Sequence, residues 1–218
     1  MEHHARLPAG LAGMDGRQKD NTMLVFLDTE FTKFAHPDLI SLALVAEDGR
    51  EFYAERTDYR NNECSGFVQE TVLPLLGRVP GAACNSRELT DRVRAWFAAL
   101  PEPATVIFDF KTDWHLLAVA MLGRPKKNPP TDFATPLFLD SYAITNPVFE
   151  QAQNLLYTQD WPPHHALADA RRSWRATGRG VQAWKRFGKS NDHLQPLRVG
   201  EQRRILGAVQ VPAPHLAR

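Results

Sequence analysis

Three short apolar runs between residues 23 and 54 constrain what this chain can fold into more than any other feature. Met23-Leu24-Val25-Phe26 leads into Leu27-Asp28-Thr29-Glu30-Phe31, then comes Leu39-Ile40-Ser41-Leu42-Ala43-Leu44-Val45, and Glu51-Phe52-Tyr53-Ala54 closes the series. Runs of this length bounded by turn-forming residues read as strands. Glu47-Asp48-Gly49-Arg50 separates the second from the third, and Asp-Gly between apolar runs is a strong hairpin signal. The chain therefore opens as an antiparallel three-strand meander. Its first strand ends on two carboxylates, and because side chains alternate with a period of two, Asp28 and Glu30 point to the same face. Two hard oxygen ligands side by side suit Mg²⁺ or Mn²⁺. Alone, an Asp-x-Glu says little, so its meaning depends on the partners supplied elsewhere.

The remaining sequence alternates helix and strand. Phe67, Val68, Val72, Leu75 and Leu76 predict a short helix disturbed by Pro74. Asn85, with Glu88 three residues on, predicts a capped helix whose Leu89, Val93, Trp96, Phe97 and Leu100 repeat at helical spacing and face the core. Thr105-Val106-Ile107-Phe108 reads as a fourth strand ending at Asp109. Thr112 is placed to cap a helix from Asp113 through Leu116, Leu117, Ala120 and Met121, with Gly123 as its stop. A Pro-rich loop over 125–136 leads to a fifth strand, Leu137-Phe138-Leu139-Asp140, and 148–156 reads as another helix. Trp161-Pro162-Pro163 breaks the pattern before His164-His165-Ala166-Leu167-Ala168-Asp169-Ala170, which opens an Ala-rich helix with an apolar stripe of Leu167, Ala170 and Trp174. The small Ala166 and Ala170 let that helix lie close to the sheet, carrying Asp169 towards Asp28 and Glu30.

The organisation reads as a leader over 1–21, a globular domain over 22–187, and a basic tail over 188–218 with a short helix near 201–206. With 218 residues, 43% of them hydrophobic, the chain has enough material for one real core. Its longest apolar stretch, Leu39–Ala46, is far shorter than a membrane span, and the N-terminus lacks a signal-peptide apolar region, so a cytoplasmic protein is expected. Cys64 and Cys84 are read as reduced, partly buried thiols rather than a zinc or disulfide framework. Charge is strongly asymmetric: residues 171–218 carry 11 Lys and Arg against 2 Asp and Glu, whereas residues 1–170 carry 15 and 23. An acidic body beside a basic end suits a metal-holding site next to a segment that attracts polyanions, although on charge alone a solvated basic helix face with a mobile tail is the favoured reading.

Three separate places thus present acid at the edge of a core element: Asp28 with Glu30, Asp113, and Asp169, the last five residues after His164. This order, and above all the string His164-His165-Ala166-Leu167-Ala168-Asp169-Ala170, resembles the DEDDh (DnaQ-like, RNase T-like) family of 3′-5′ exonucleases over residues 23–176. The Asp-Thr-Glu-Phe start and the short meander are most similar to its small bacterial, mycobacterial-type exoribonucleases. The resemblance implies an α/β, RNase-H-like exonuclease domain with a five-stranded mixed sheet, its first three strands antiparallel, flanked by helices. It implies two Mg²⁺ or Mn²⁺ ions. Asp28, Glu30 and Asp169 would hold the one that activates water, with Asp28 bridging to a second ion supported by Asp113. It also implies His164 as general base, since an imidazole accepts a proton at neutral pH, and a 5′-mononucleotide as product.

Asp109 competes with Asp113 for the third acid position, because Thr112 stands where relatives carry an aromatic residue. His165 competes with His164, which is favoured by its five-residue spacing to Asp169. Asp140 fits no family position and is read as structural. Phe31, Thr32 and Phe34 are candidate substrate contacts beside the acids, by base stacking or through backbone groups, and Trp161 either stacks on substrate or anchors its loop. Arg171, Arg172 and Arg175 are candidate phosphate contacts, with a solvated helix face the favoured reading for any one of them. The expected partner is nucleic acid, RNA ahead of DNA, and many relatives are homodimers. The rival readings are a 3′-5′ DNA exonuclease of identical chemistry and a non-catalytic nucleic-acid-binding module on the same fold.

Overall fold

The computed structural model describes residues 22–123, 132–139 and 157–178. The leader 1–21, Asp140, the helices expected at 148–156 and 201–206, and everything from residue 179 onward lie outside the described residues.

The meander forms as the sequence predicts, with β1 Met23–Phe31, β2 Leu39–Ala46 and β3 Glu51–Arg56. Both pairings are antiparallel, and Gly49 takes the positive φ (87°) that the β2–β3 turn requires. Among the described residues the sheet has six strands rather than five, in the order β4-β3-β2-β1-β5-β6. The extra strand, β4 Ala83–Cys84, pairs parallel to β3. Two residues are too few for any alternation to register. On the other side, β5 Ala104–Phe108 pairs parallel to β1, and β6 Thr135–Phe138 pairs parallel to β5. The last strand begins two residues before the expected Leu137 and includes Pro136, which an edge strand tolerates because its outer side needs no amide donor.

Among the described residues three helices cover the sheet: α1 Ser86–Ala98, α2 Lys111–Leu122 and α3 Ala166–Gly178. Helix α1 starts at the expected capping box, with the Asn85 side chain accepting from the Arg87 and Glu88 amides and the Glu88 carboxylate accepting from the Asn85 amide. It joins α2 through the buried Thr90 hydroxyl, which donates to the Ala120 carbonyl at 2.8 Å. Gly123 closes α2 at φ 80° with a Cβ position only 3.2 Å from Thr90, so both backbone and space demand glycine. The start of α2 departs from expectation. Phe110 occupies the cap position with no side-chain hydrogen bond, and Thr112 lies inside the first turn. The predicted helix over 67–76 is a π-helical turn, Val68–Val72, followed by a 3₁₀ turn, Leu73–Leu75, because Pro74 cannot donate to a continuing α-helical ladder.

Alternation along β1 divides the core. Met23, Val25 and Leu27 pack on the face carrying α1 and α2, while Leu24 and Phe26 pack on the opposite face with Ile107, Leu137 and Trp174. Helix α3 lies across β1 and β2, its Ala166 and Ala170 fully buried against Ala43 and Val45. Among the described residues no helix is long and apolar enough to cross a membrane.

Candidate active site

Strand β1 pairs with β5 only through Phe26, so its last residues run past the end of β5. The parity that buries Leu24 and Phe26 on the α3 face carries Asp28 and Glu30 towards Asp169 on α3. The intervening Thr29 takes the other face, where its hydroxyl donates to Asp113 Oδ1 at 2.6 Å. Beyond Phe108 the chain presents Asp109 and then turns into α2, whose first turn contributes Asp113. Two groups of carboxylates result, with ligand oxygens within 4.8 Å of one another: Asp28, Glu30 and Asp169, and Asp28, Asp109 and Asp113. Asp28 belongs to both. Both candidates for the third acid are thus in the cluster, Asp113 buried and Asp109 half-buried.

These acids are crowded and poorly hydrated. Burial pushes Asp28 well above the usual carboxylate range, and Asp169, Asp113, Glu30 and Asp109 push it further. Glu30 is pushed up to about 8 by burial and by Asp169. Burial raises Asp113 as well, opposed by the Thr29 hydrogen bond, and raises Asp109, opposed by Arg172. Carboxylates in this state either keep protons or share cations. A donor set made only of carboxylate oxygens fits hard divalent ions of the Mg²⁺ and Mn²⁺ type.

Asp169 is fixed from both sides. Its Oδ1 accepts from the Tyr157 hydroxyl, and its Oδ2 accepts from the His164 amide at 2.9 Å. The two neighbouring histidines go opposite ways because His164 adopts a left-handed backbone, φ 65°. His164 is exposed, lines the cleft over the acids and meets Phe67 edge-on at 5.0 Å. His165 is 2% exposed, stacks on Tyr53 at 4.9 Å, and contacts Trp161 edge-on at 5.1 Å. Burial, with help from Arg78, pushes its pKa down to about 4, so it stays neutral in the core.

The acids floor a cleft of about 1050 Å³. Phe31 and Phe34 line it as expected, joined by Phe67 and Phe110. Phe31 and Phe110 stack at 6.1 Å, and Phe34 meets both edge-on. Phe34, Phe67 and Phe110 are the large apolar side chains most exposed among the described residues, at 76%, 55% and 42%. The other two substrate candidates sit elsewhere. Thr32 is fully buried, and its hydroxyl accepts from the Asp38 amide, closing the β1–β2 loop. Trp161 packs under Arg171, whose guanidinium lies 4.4 Å from its ring and also grips Glu51.

Sequence reasoning missed Tyr157, Phe67 and Phe110 as cleft residues. Tyr157 has no local signal, since only tertiary folding brings it to Asp169. Phe67 carried an apolar-stripe reading that the π-helical turn overrides. Of the three arginines weighed between phosphate contact and a solvated face, Arg172 lies in the cleft, three residues after Asp169 and therefore on the same side of α3.

No family model matches the chain. Two proteins of Mycobacterium tuberculosis named 3′-5′ exoribonuclease, from strains CDC 1551 / Oshkosh and ATCC 25618 / H37Rv, are each 46% identical to it over 67 residues. That match spans 30% of this chain and 40% of either relative. The crystal structure of a full-length 3′-exonuclease superimposes with a TM-score of 0.51 at 16% identity, covering 82% of this chain and 88% of the other. The chain shares the fold of that 3′-exonuclease, and over 67 residues it is similar to two proteins named 3′-5′ exoribonuclease.

Proposed function

We propose that this protein is a metal-dependent 3′-5′ exonuclease that removes 5′-mononucleotides from the 3′ end of single-stranded RNA. The observation that carries the reading is Asp28 at the junction of two acid groups, a donor arrangement suited to a pair of divalent cations. When bound, such a pair supplies Lewis-acid activation of water and neutralises charge on the phosphate and the leaving oxygen. Asp28, Glu30 and Asp169 would hold one ion, and Asp28 with Asp113 the other.

The chain's own residues have distinct tasks. His164 takes a proton from the water that attacks phosphorus, the 3′-oxygen of the preceding nucleotide leaves, and the terminal nucleotide departs carrying a 5′-phosphate. The exposure of His164 beside Asp169, against the burial of His165, supports this choice of base. Tyr157 and the His164 amide hold Asp169 in orientation, and Thr29 holds Asp113. Phe31, Phe34, Phe67 and Phe110 offer π-faces on which unpaired bases can stack, which favours single strands over duplex. The preference for RNA rests on the two mycobacterial relatives being named exoribonucleases. Residues 22–187 form the nuclease domain in this reading, and the basic segment from 188 onward is available to polyanions. The free, buried Cys64 and Cys84 suit a reducing, cytoplasmic setting.

The test is degradation of 5′-labelled single-stranded RNA, single-stranded DNA and overhanging duplexes with Mg²⁺, Mn²⁺ or EDTA. RNA is expected to shorten stepwise with release of 5′-mononucleotides, with EDTA or Asp28→Asn stopping the reaction. A faster reaction on DNA reassigns the substrate. No release with either ion, or full release by Asp28→Asn, rejects the catalytic reading in favour of a binding module.

A further inference from the structure

The cleft holds one more carboxylate than two divalent cations neutralise. Asp28, Glu30, Asp113 and Asp169 match the charge of such a pair, and Asp109 adds a fifth negative charge that would repel an incoming phosphodiester. Among the described residues two cations line this cleft, and Lys33 is paired with Glu63 at 2.7 Å, which leaves Arg172 to face the excess. Arg172 lies in the same cleft, with its guanidinium 5.2 Å from the Tyr157 ring and its buried Nε without a hydrogen-bond partner among the described residues. Stacking on Tyr157, which itself bonds Asp169, keeps Arg172 beside the acids without committing it to any one of them.

We infer that Asp109 and Arg172 are a compensating charge pair, in which Asp109 strengthens cation binding on the α2 side of the cleft and Arg172 restores neutrality towards the substrate phosphate. The inference rests on the exonuclease reading above.

Two binding measurements test the pair without turnover: Mn²⁺ titration of EDTA-treated protein, and binding of a single-stranded RNA oligonucleotide in Ca²⁺. Arg172→Gln is expected to tighten Mn²⁺ binding and weaken RNA binding, each by roughly three- to tenfold for one unit charge at this range. Asp109→Asn is expected to weaken Mn²⁺ binding. Asp109→Asn combined with Arg172→Gln is expected to return RNA affinity to within about twofold of wild type, and Arg172→Lys to keep wild-type Mn²⁺ affinity. Unchanged binding in Arg172→Gln, or a double variant no closer to wild type than Arg172→Gln alone, overturns the inference. Asp109→Asn gives its own reading should Arg172→Gln fold poorly. Failure of wild-type protein to release nucleotides rejects the exonuclease reading alone, since the Mn²⁺ titration reports on the pair without catalysis.

Discussion

Raising the pH should destabilise the metal-free protein, and divalent cations should reverse the effect. Folded Glu30 holds its proton up to about pH 8, whereas the same group in the unfolded chain releases it near 4.5. Between these values the native state binds the extra proton, so the free energy of unfolding falls as pH rises. The buried His165, at about 4, works the other way: the unfolded chain binds the extra proton up to about 6.5, and stability there rises with pH. The clean window therefore runs from pH 6.5 to 8. At 1.36 kcal/mol per pH unit, Glu30 alone removes about 2 kcal/mol across it. For a chain of this size that lowers Tm by roughly 4–8 °C. The assay is thermal unfolding in EDTA and in saturating Mg²⁺ at pH 6.5, 7.25 and 8. Mg²⁺ should raise Tm most at pH 8, where proton competition for the carboxylates is weakest. Glu30→Gln, neutral at every pH, should flatten the metal-free slope and reduce the Mg²⁺ gain. A metal-free Tm that is level or rises from pH 6.5 to 8, or a slope unchanged in Glu30→Gln, would refute the reasoning.

Other perturbations separate the parts of the cleft. His164→Asn suits the left-handed backbone at this position while removing the proton acceptor, so kcat should fall by about 10²–10⁴ with little change in Tm, whereas His165→Phe should leave kcat within severalfold of wild type. Phe34→Ala and Phe67→Ala remove exposed rings and should raise KM for single-stranded RNA about five- to tenfold each, at the lower end of base–aromatic stacking energies, without lowering Tm. Thr29→Val keeps the shape but strips the buried Asp113 of its donor; a loss of about 1–3 kcal/mol in stability is expected, with weaker Mn²⁺ binding by calorimetry.

How legible each part was depended on whether its cause was local. The meander could be read because Asp48-Gly49 and the flanking apolar runs fix both turn and register within a few residues. The capping box at Asn85 and Glu88, the stop at Gly123 and the small stripe of Ala166 and Ala170 could be read for the same reason. Strand β4 could not, being two residues long and defined only by its pairing to Glu55 and Arg56. Thr112 has the right chemistry for a cap, but helix α2 begins one residue earlier, so it was misread. In the site, Asp28, Glu30 and Asp169 followed from β-strand parity and helix spacing. The choice between Asp109 and Asp113 was posed as exclusive, yet the turn from β5 into α2 brings both to Asp28.

The end of β1 is where these local rules meet, and its geometry explains why one acid can serve two groups. A strand side chain ordinarily reaches one face of its sheet, and parity sends Asp28 to the side of α3. Strand β5, however, pairs with β1 only as far as Phe26, and the chain beyond Phe108 folds over the sheet edge into α2. With no paired neighbour on that side, Asp28 lies within reach of Asp109 and Asp113 as well as of Glu30 and Asp169. Residue 28 is therefore the position at which a conservative change, Asp to Asn, should damage both cation positions together. A change at Glu30 or Asp113 should act first on the group to which that residue belongs.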